Sequence, residues 1–124
     1  MKALAVDSLG RIYVTGTSSA GDVVTTPGAF QPGPSPTVTQ LHGFVMRLKP
    51  SGAIDYGSYL DPGQPFSIAV DASGAALVAD EPLSTDFPAT PGAYLTRGYG
   101  FLLRLSADGS ALIYSTYTEP RSPW

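Results

Sequence analysis

The sequence predicts an all-β fold built from two consecutive four-stranded antiparallel sheets, and three observations carry that expectation. The chain repeats itself once along its length. Short runs rich in Val, Ile, Tyr and Thr alternate with turn residues throughout, the pattern of short strands. Composition opposes helices, since 14 Gly and 12 Pro interrupt 124 residues and only 14% of residues are charged.

The repeat is legible at two offsets. At an offset of 64, Ala5-Val6-Asp7 falls on Ala69-Val70-Asp71, Gly10 on Gly74, Asp22 on Asp86, and Thr26-Pro27-Gly28-Ala29 on Thr90-Pro91-Gly92-Ala93. At an offset of 57, Gly43-Phe44 falls on Gly100-Phe101, Arg47-Leu48 on Arg104-Leu105, and Gly52 on Gly109. One residue later in register, Tyr56 meets Tyr114 and Tyr59 meets Tyr117. The change of offset places seven extra residues in the first copy, within Gln31–His42, where Pro32, Pro34 and Pro36 mark a loop.

Four strands follow in each copy. Strand A is expected at Ala3–Val6 and Ser67–Val70, and strand B at Arg11–Gly16 and Ala75–Ala79. Strand C is expected at Gly43–Lys49 and Gly100–Ser106, and strand D at Ala53–Tyr59 and Ser110–Tyr117. The A–B turns (Asp7-Ser8-Leu9-Gly10 and Asp71-Ala72-Ser73-Gly74) and the C–D turns (Lys49-Pro50-Ser51-Gly52 and Ser106-Ala107-Asp108-Gly109) all end in Gly. That ending suits a type I turn closed by a residue of positive φ, with Asp or Ser bonding the turn's own amides. The B–C connections are long, about 25 and about 20 residues, a length that points to function or local structure. Within them, Thr26–Phe30 and Thr90–Tyr94 predict a short helical turn, capped by Thr, started by Pro and pinned by the aromatic residue. Residues 1–62 form the first unit, and 63–124 the second with a C-terminal linker.

The run Ala-Val-Asp-x-x-Gly-x-x-x-Val, then Thr85–Tyr94 (Thr-Asp-Phe-Pro-x-Thr-Pro-Gly-Ala-Tyr), then Phe101–Tyr117 resembles the SBBP-type β-propeller repeat. The resemblance covers nearly the whole chain and is best in the second copy; the first departs from it at Gly21-Asp22-Val23-Val24. It implies a partial β-propeller of two blades and an extracellular or cell-surface setting in a bacterial secreted protein. It transfers no catalytic residue.

Propeller blades pack between neighbours and bury both faces. In strand C, Phe44, Met46 and Leu48 oppose Val45, and Phe101, Leu103 and Leu105 oppose Leu102. A two-blade piece leaves one apolar face of each blade bare, more than a monomer usually tolerates. Three resolutions follow: further blades in a longer parent chain, self-association into a ring, or loops folded over the open faces. Strand A starts directly after Met1 and the chain stops shortly after Tyr117, which favours a fragment.

Candidate sites are few. His42, the sole His, is expected as a surface loop residue ahead of strand C, with no nucleophile elbow or triad partner. Asp80 and Glu81 are adjacent carboxylates at a solvated strand end, pointing to opposite faces. Asp22 and Asp86 recur in the B–C loops, as a cation or sugar ligand or, more simply, as a loop-shaping backbone acceptor. Neither sits in an Asp-x-Asp-x-Asp-Gly loop, so no cofactor is expected, calcium being the one candidate. Arg47 and Arg104 predict blade–blade ion pairs, with Asp7 or Asp71 as partners. Tyr56, Tyr59, Tyr114 and Tyr117 are expected to pack on strand C.

The function classes narrow accordingly. A net charge of −3 with seven scattered Lys and Arg offers no footprint for nucleic acid. No apolar run reaches the ~18 residues a membrane helix requires, and the start of the chain holds no signal peptide. Zero Cys removes disulfides and thiol chemistry. The leading expectation is a non-enzymatic binding or scaffold module taking a protein or carbohydrate ligand on residues 18–42 and 81–99. A carbohydrate-active propeller enzyme, whose paired carboxylates would stand roughly 5–10 Å apart, and a calcium-stabilised adhesive repeat are the alternatives.

Overall fold

A computed structural model describes residues 2–19, 23–33, 42–60, 64–81, 90–91 and 99–119. Among the described residues eight strands appear in order: β1 (Ala3–Val6), β2 (Ile12–Ser18), β3 (His42–Leu48), β4 (Ile54–Tyr59), β5 (Gln64–Val70), β6 (Ala76–Glu81), β7 (Tyr99–Leu105) and β8 (Leu112–Glu119). They form two antiparallel sheets ordered β1-β2-β3-β4 and β5-β6-β7-β8, each strand beside its chain neighbour. The fold is all-β, with two blade-like open sheets, as the repeat predicts.

The four tight turns close as expected. Gly10, Gly52, Gly74 and Gly109 each donate their amide to the carbonyl three residues back, at 2.8–3.1 Å. All four have positive φ, between 75° and 91°, which a Cβ would oppose. The one-residue slip between the offsets of 57 and 58 is absorbed in the second C–D turn. There Ser106 bonds to Ala111, whereas Lys49 bonds to Ala53 in the first copy. Asp108 holds the longer turn, accepting from the Ser106 hydroxyl at 2.7 Å and the Ser110 amide at 3.1 Å. Both D strands then carry a bulge at one repeat position, opposite Arg47/Leu48 and Arg104/Leu105.

Register assigns the faces. In the first sheet, Tyr13, Thr15, Val45, Arg47, Tyr56 and Ser58 share one face and are all buried. In the second, Ile68, Val78, Phe101, Leu103, Leu105 and Tyr117 share one face and are buried too. These two faces meet in a single core. Each blade thus has one face covered by the other blade.

The outward faces differ. On the first sheet Leu4 and Val6 remain 53% and 56% exposed, while Phe44 and Tyr59 are buried. Residues 23–33 make that difference by running along the outer edge of β4. Thr26 exchanges hydrogen bonds with Gly57 through its amide and its hydroxyl oxygen, and the Tyr59 amide donates to Gln31 O at 3.0 Å. The Val23 amide donates to Tyr59 Oη at 3.1 Å. The loop covers the outer part of the face and leaves the inner strand bare. The same loop departs from the expected helical turn: Thr26–Ala29 is a single turn, because Thr26 spends its hydroxyl on β4 instead of capping a helix. Thr90 repeats this docking on Ser115, with its amide donating to Ser115 O and its hydroxyl accepting from the Ser115 amide.

Candidate functional site

Asp7 and Asp71 open the A–B turns of the innermost strands, so stacking the blades brings the two turns side by side. Between them lies a cleft of about 320 Å³, lined by Val6, Asp7, Leu9, Arg11, Asp71 and Gly74 among others. That volume sits at the lower bound for small-molecule sites. Its carboxylates are engaged internally. Asp7 Oδ1 accepts from the Leu9 and Arg11 amides at 2.9 and 3.0 Å, and Oδ2 from Arg11 Nε at 2.6 Å. Burial works to raise the Asp7 pKa, but the hydrogen bonds from Arg11, Tyr13 and Leu9 outweigh it and hold the carboxyl at about 2. Asp71 also stands at about 2, chiefly through the Ser73 hydroxyl and then the backbone amides and Arg104.

Beside this cleft the blades are fastened by polar contacts. Arg47 is 8% exposed and stands between two aromatic rings, 5.7 Å from the centroid of Tyr13 and 4.9 Å from that of Tyr56. Its Nε meets Asp55 Oδ2 at 2.8 Å, and its Nη1 donates to the Ala107 carbonyl of the second blade at 2.6 Å. Burial opposes its charge, but Tyr13 and Asp55 keep its pKa raised. The Tyr13 hydroxyl lies 3.0 Å from Asp7 Oδ2 and 3.1 Å from Gly74 O of the other blade. Burial pushes the Tyr13 and Tyr56 hydroxyls up in pKa, so both stay neutral. The Phe30 amide donates to Gly109 O at 2.9 Å, tying the first loop to the second blade as well.

These contacts correct the expected ion pairs. Arg47 pairs with Asp55 and Arg104 with Asp71, the latter an expected partner, but both pairs lie within a blade; Arg47 reaches the other blade through its bond to the Ala107 carbonyl. The cause lies in the neighbours. In the first copy Arg11 and Tyr13 saturate Asp7, so Arg47 turns to Asp55. In the second copy Ala75 and Leu77 take the places of Arg11 and Tyr13, and Ile113 that of Asp55, so Asp71 receives Arg104.

His42 is not a surface loop residue: it opens β3, is 7% exposed, and stands edge-on to Tyr59 with centroids 5.8 Å apart. Asp80 is not at a solvated end either. Strand β6 runs on through it, and the carboxylate, 1% exposed, accepts from the Gln64 amide at 2.7 Å. Glu81 closes the same strand. Asp22 and Asp86 lie outside the described residues. Of the tyrosines, Tyr117 packs edge-on to Phe101 at 4.8 Å and Tyr56 stacks on Arg47, as expected, whereas Tyr114 is 37% exposed.

Among the described residues, no three His, Asp or Glu side chains converge on a common point. Sequence reasoning missed the cleft between the A–B turns. Its signal was present, because Asp7 and Asp71 share a repeat position on the innermost strands. No curated protein matches the chain. Residues 2–22 match the SBBP β-propeller repeat, a stretch that holds the whole A–B hairpin of the first blade. Residues 2–22 are thus similar to the SBBP β-propeller repeat, and the two four-stranded sheets packed face to face are consistent with blades of a partial propeller.

Proposed function

We propose that the chain serves as a non-enzymatic binding or scaffold unit of a bacterial secreted or cell-surface protein. One observation supports the reading: among the described residues, the ionisable groups that recur in the repeat are consumed by the architecture. Asp7 and Asp71 shape turns, and Arg47 and Arg104 hold carboxylates beside strand C; Asp80, present in the second copy alone, anchors the start of β5. Groups held this way stabilise a platform and are poorly placed to exchange protons with a substrate. Ligand contacts are proposed on residues 18–42 and 81–99, where the stretch 23–33 is docked on β4.

The test pairs turnover with binding. The intact chain is applied to arrays of polysaccharides and bacterial surface proteins, and the same polysaccharides are assayed for new reducing ends or unsaturated products. Binding without turnover is expected, and it should disappear when residues 34–41 and 82–89 become Gly/Ser linkers of equal length. Catalytic cleavage of any polysaccharide would overturn the non-enzymatic reading. Binding that survives both linkers would remove the ligand from these loops.

A further inference from the structure

The contact between the two blades has two unlike sides, and each blade owns both. The first blade supplies a socket: Arg47 donates to the Ala107 carbonyl, and Tyr56 lies against Gly109, where an added Cβ would come within 2.5 to 2.9 Å of the ring. The second blade supplies a turn: its C–D connection presents both Ala107 and Gly109.

The repeat carries the same two sides to the open ends. On the outward face of the second blade, Arg104 and Tyr114 stand at the positions of Arg47 and Tyr56, with Ala69 exposed beside them. Tyr114 is 37% exposed where Tyr56 is 3%. The Nε of Arg104 is buried with no hydrogen-bond partner among the described residues. In the first blade, the turn equivalent to Ala107–Gly109 is Pro50–Gly52, and a Cβ on Gly52 would meet nothing within 4 Å. Its outward face presents Leu4 and Val6 more than half exposed. One end therefore carries the open socket and the other the open turn of a contact already made once inside the chain.

We propose that the outward face of β5–β8 receives the outward face of β1–β4 of a second copy of this chain, head to tail. Arg104 of one copy meets the Pro50 carbonyl of the next, and Tyr114 lies on the Gly52 turn, so that the contact continues the one between Arg47, Tyr56 and the Ala107–Gly109 turn. A head-to-tail contact closes when its rotation divides a full turn. With roughly 4–8 blades in a closed propeller, two-blade units complete a ring of about two to four copies. This inference rests on blade stacking and is independent of the ligand reading above.

The experiment is light scattering across a dilution series on the whole chain, on Leu4→Glu, on Tyr114→Glu, and on an equimolar mixture of the two variants. Circular dichroism establishes that each variant keeps the wild-type sheet signal. The wild type should give one discrete species of about two to four chains, and each variant alone a monomer. The mixture should give a dimer and nothing larger, because each pair retains one intact contact. A monomeric wild type, an oligomer that either variant leaves intact, or a mixture that stays monomeric overturns the proposal. An open-ended size distribution of the wild type overturns ring closure.

Discussion

Arg47 shows how much one side chain can hold together when its partners come from both blades. Its guanidinium joins Asp55, the rings of Tyr13 and Tyr56, and the Ala107 carbonyl at one point. Arg47→Ala should cost about 1.5–3 kcal/mol in urea denaturation, the range for hydrogen bonds to a charged group. The figure stays below that of a fully buried pair because the Asp55 side chain is 27% exposed. Arg47→Lys should recover only part of the loss, since an ammonium cannot serve Asp55 and Ala107 in the same fork. At the same scale, Asp7, Asp71 and Asp108 all titrate at about 2 against an ordinary value of 3.8. Protonation therefore favours the unfolded chain. Their stabilisation is complete above about pH 4 and is lost as pH falls toward 2. The melting temperature should be level from neutral pH to about 5 and then fall, and Asp71→Asn should lower the plateau and flatten the fall.

At the scale of elements, the strands were legible to within a few residues, because Gly-terminated turns and β-branched runs act locally. The register slip between copies was legible as well, and Asp108 shows how the longer turn accommodates it. The extent of β3 and β6 was not. His42 reads as loop by its neighbours, and Asp80 reads as solvated by its charge. Each is drawn into a strand by what stands opposite: Ser18 pairs with His42, and Pro65 with Asp80. The Thr-Pro-Gly motif is legible in the sequence, but its role depends on the edge strand it docks on. That role is testable in both copies. Thr26→Ala and Thr90→Ala should each cost about 0.5–1.5 kcal/mol, the usual yield of one hydrogen bond. Gly57→Ala should cost about 1–3 kcal/mol, since its Cβ would overlap the Val24 carbonyl. Chemical denaturation reads all three.

For the whole molecule, the decisive feature is that one core serves two blades. Tyr13, Val45 and Tyr56 come from the first sheet, and Val78, Leu103 and Leu105 from the second. Among the described residues the core cluster draws on both sheets, so thermal unfolding should be a single transition by far-ultraviolet circular dichroism and by tyrosine fluorescence. Leu103→Ala should lower that transition by about 2–5 kcal/mol without splitting it, and residues 64–119 alone should show no cooperative melt. Two separate transitions would contradict the shared core.

The sequence by itself determined the fold class, the duplication, the four Gly-closed turns and the apolar alternation that makes each sheet two-faced. These depend on backbone sterics and on periodicity, which act over a few residues. Only the tertiary structure decided which face of each blade is covered, which carboxylate each arginine takes, and that His42 and Asp80 are buried. Those outcomes depend on partners 8 to 61 residues away along the chain, from Arg47 and Asp55 to Tyr13 and Gly74. A residue's own type sets what it can bond to, and only packing sets which candidate stands within reach.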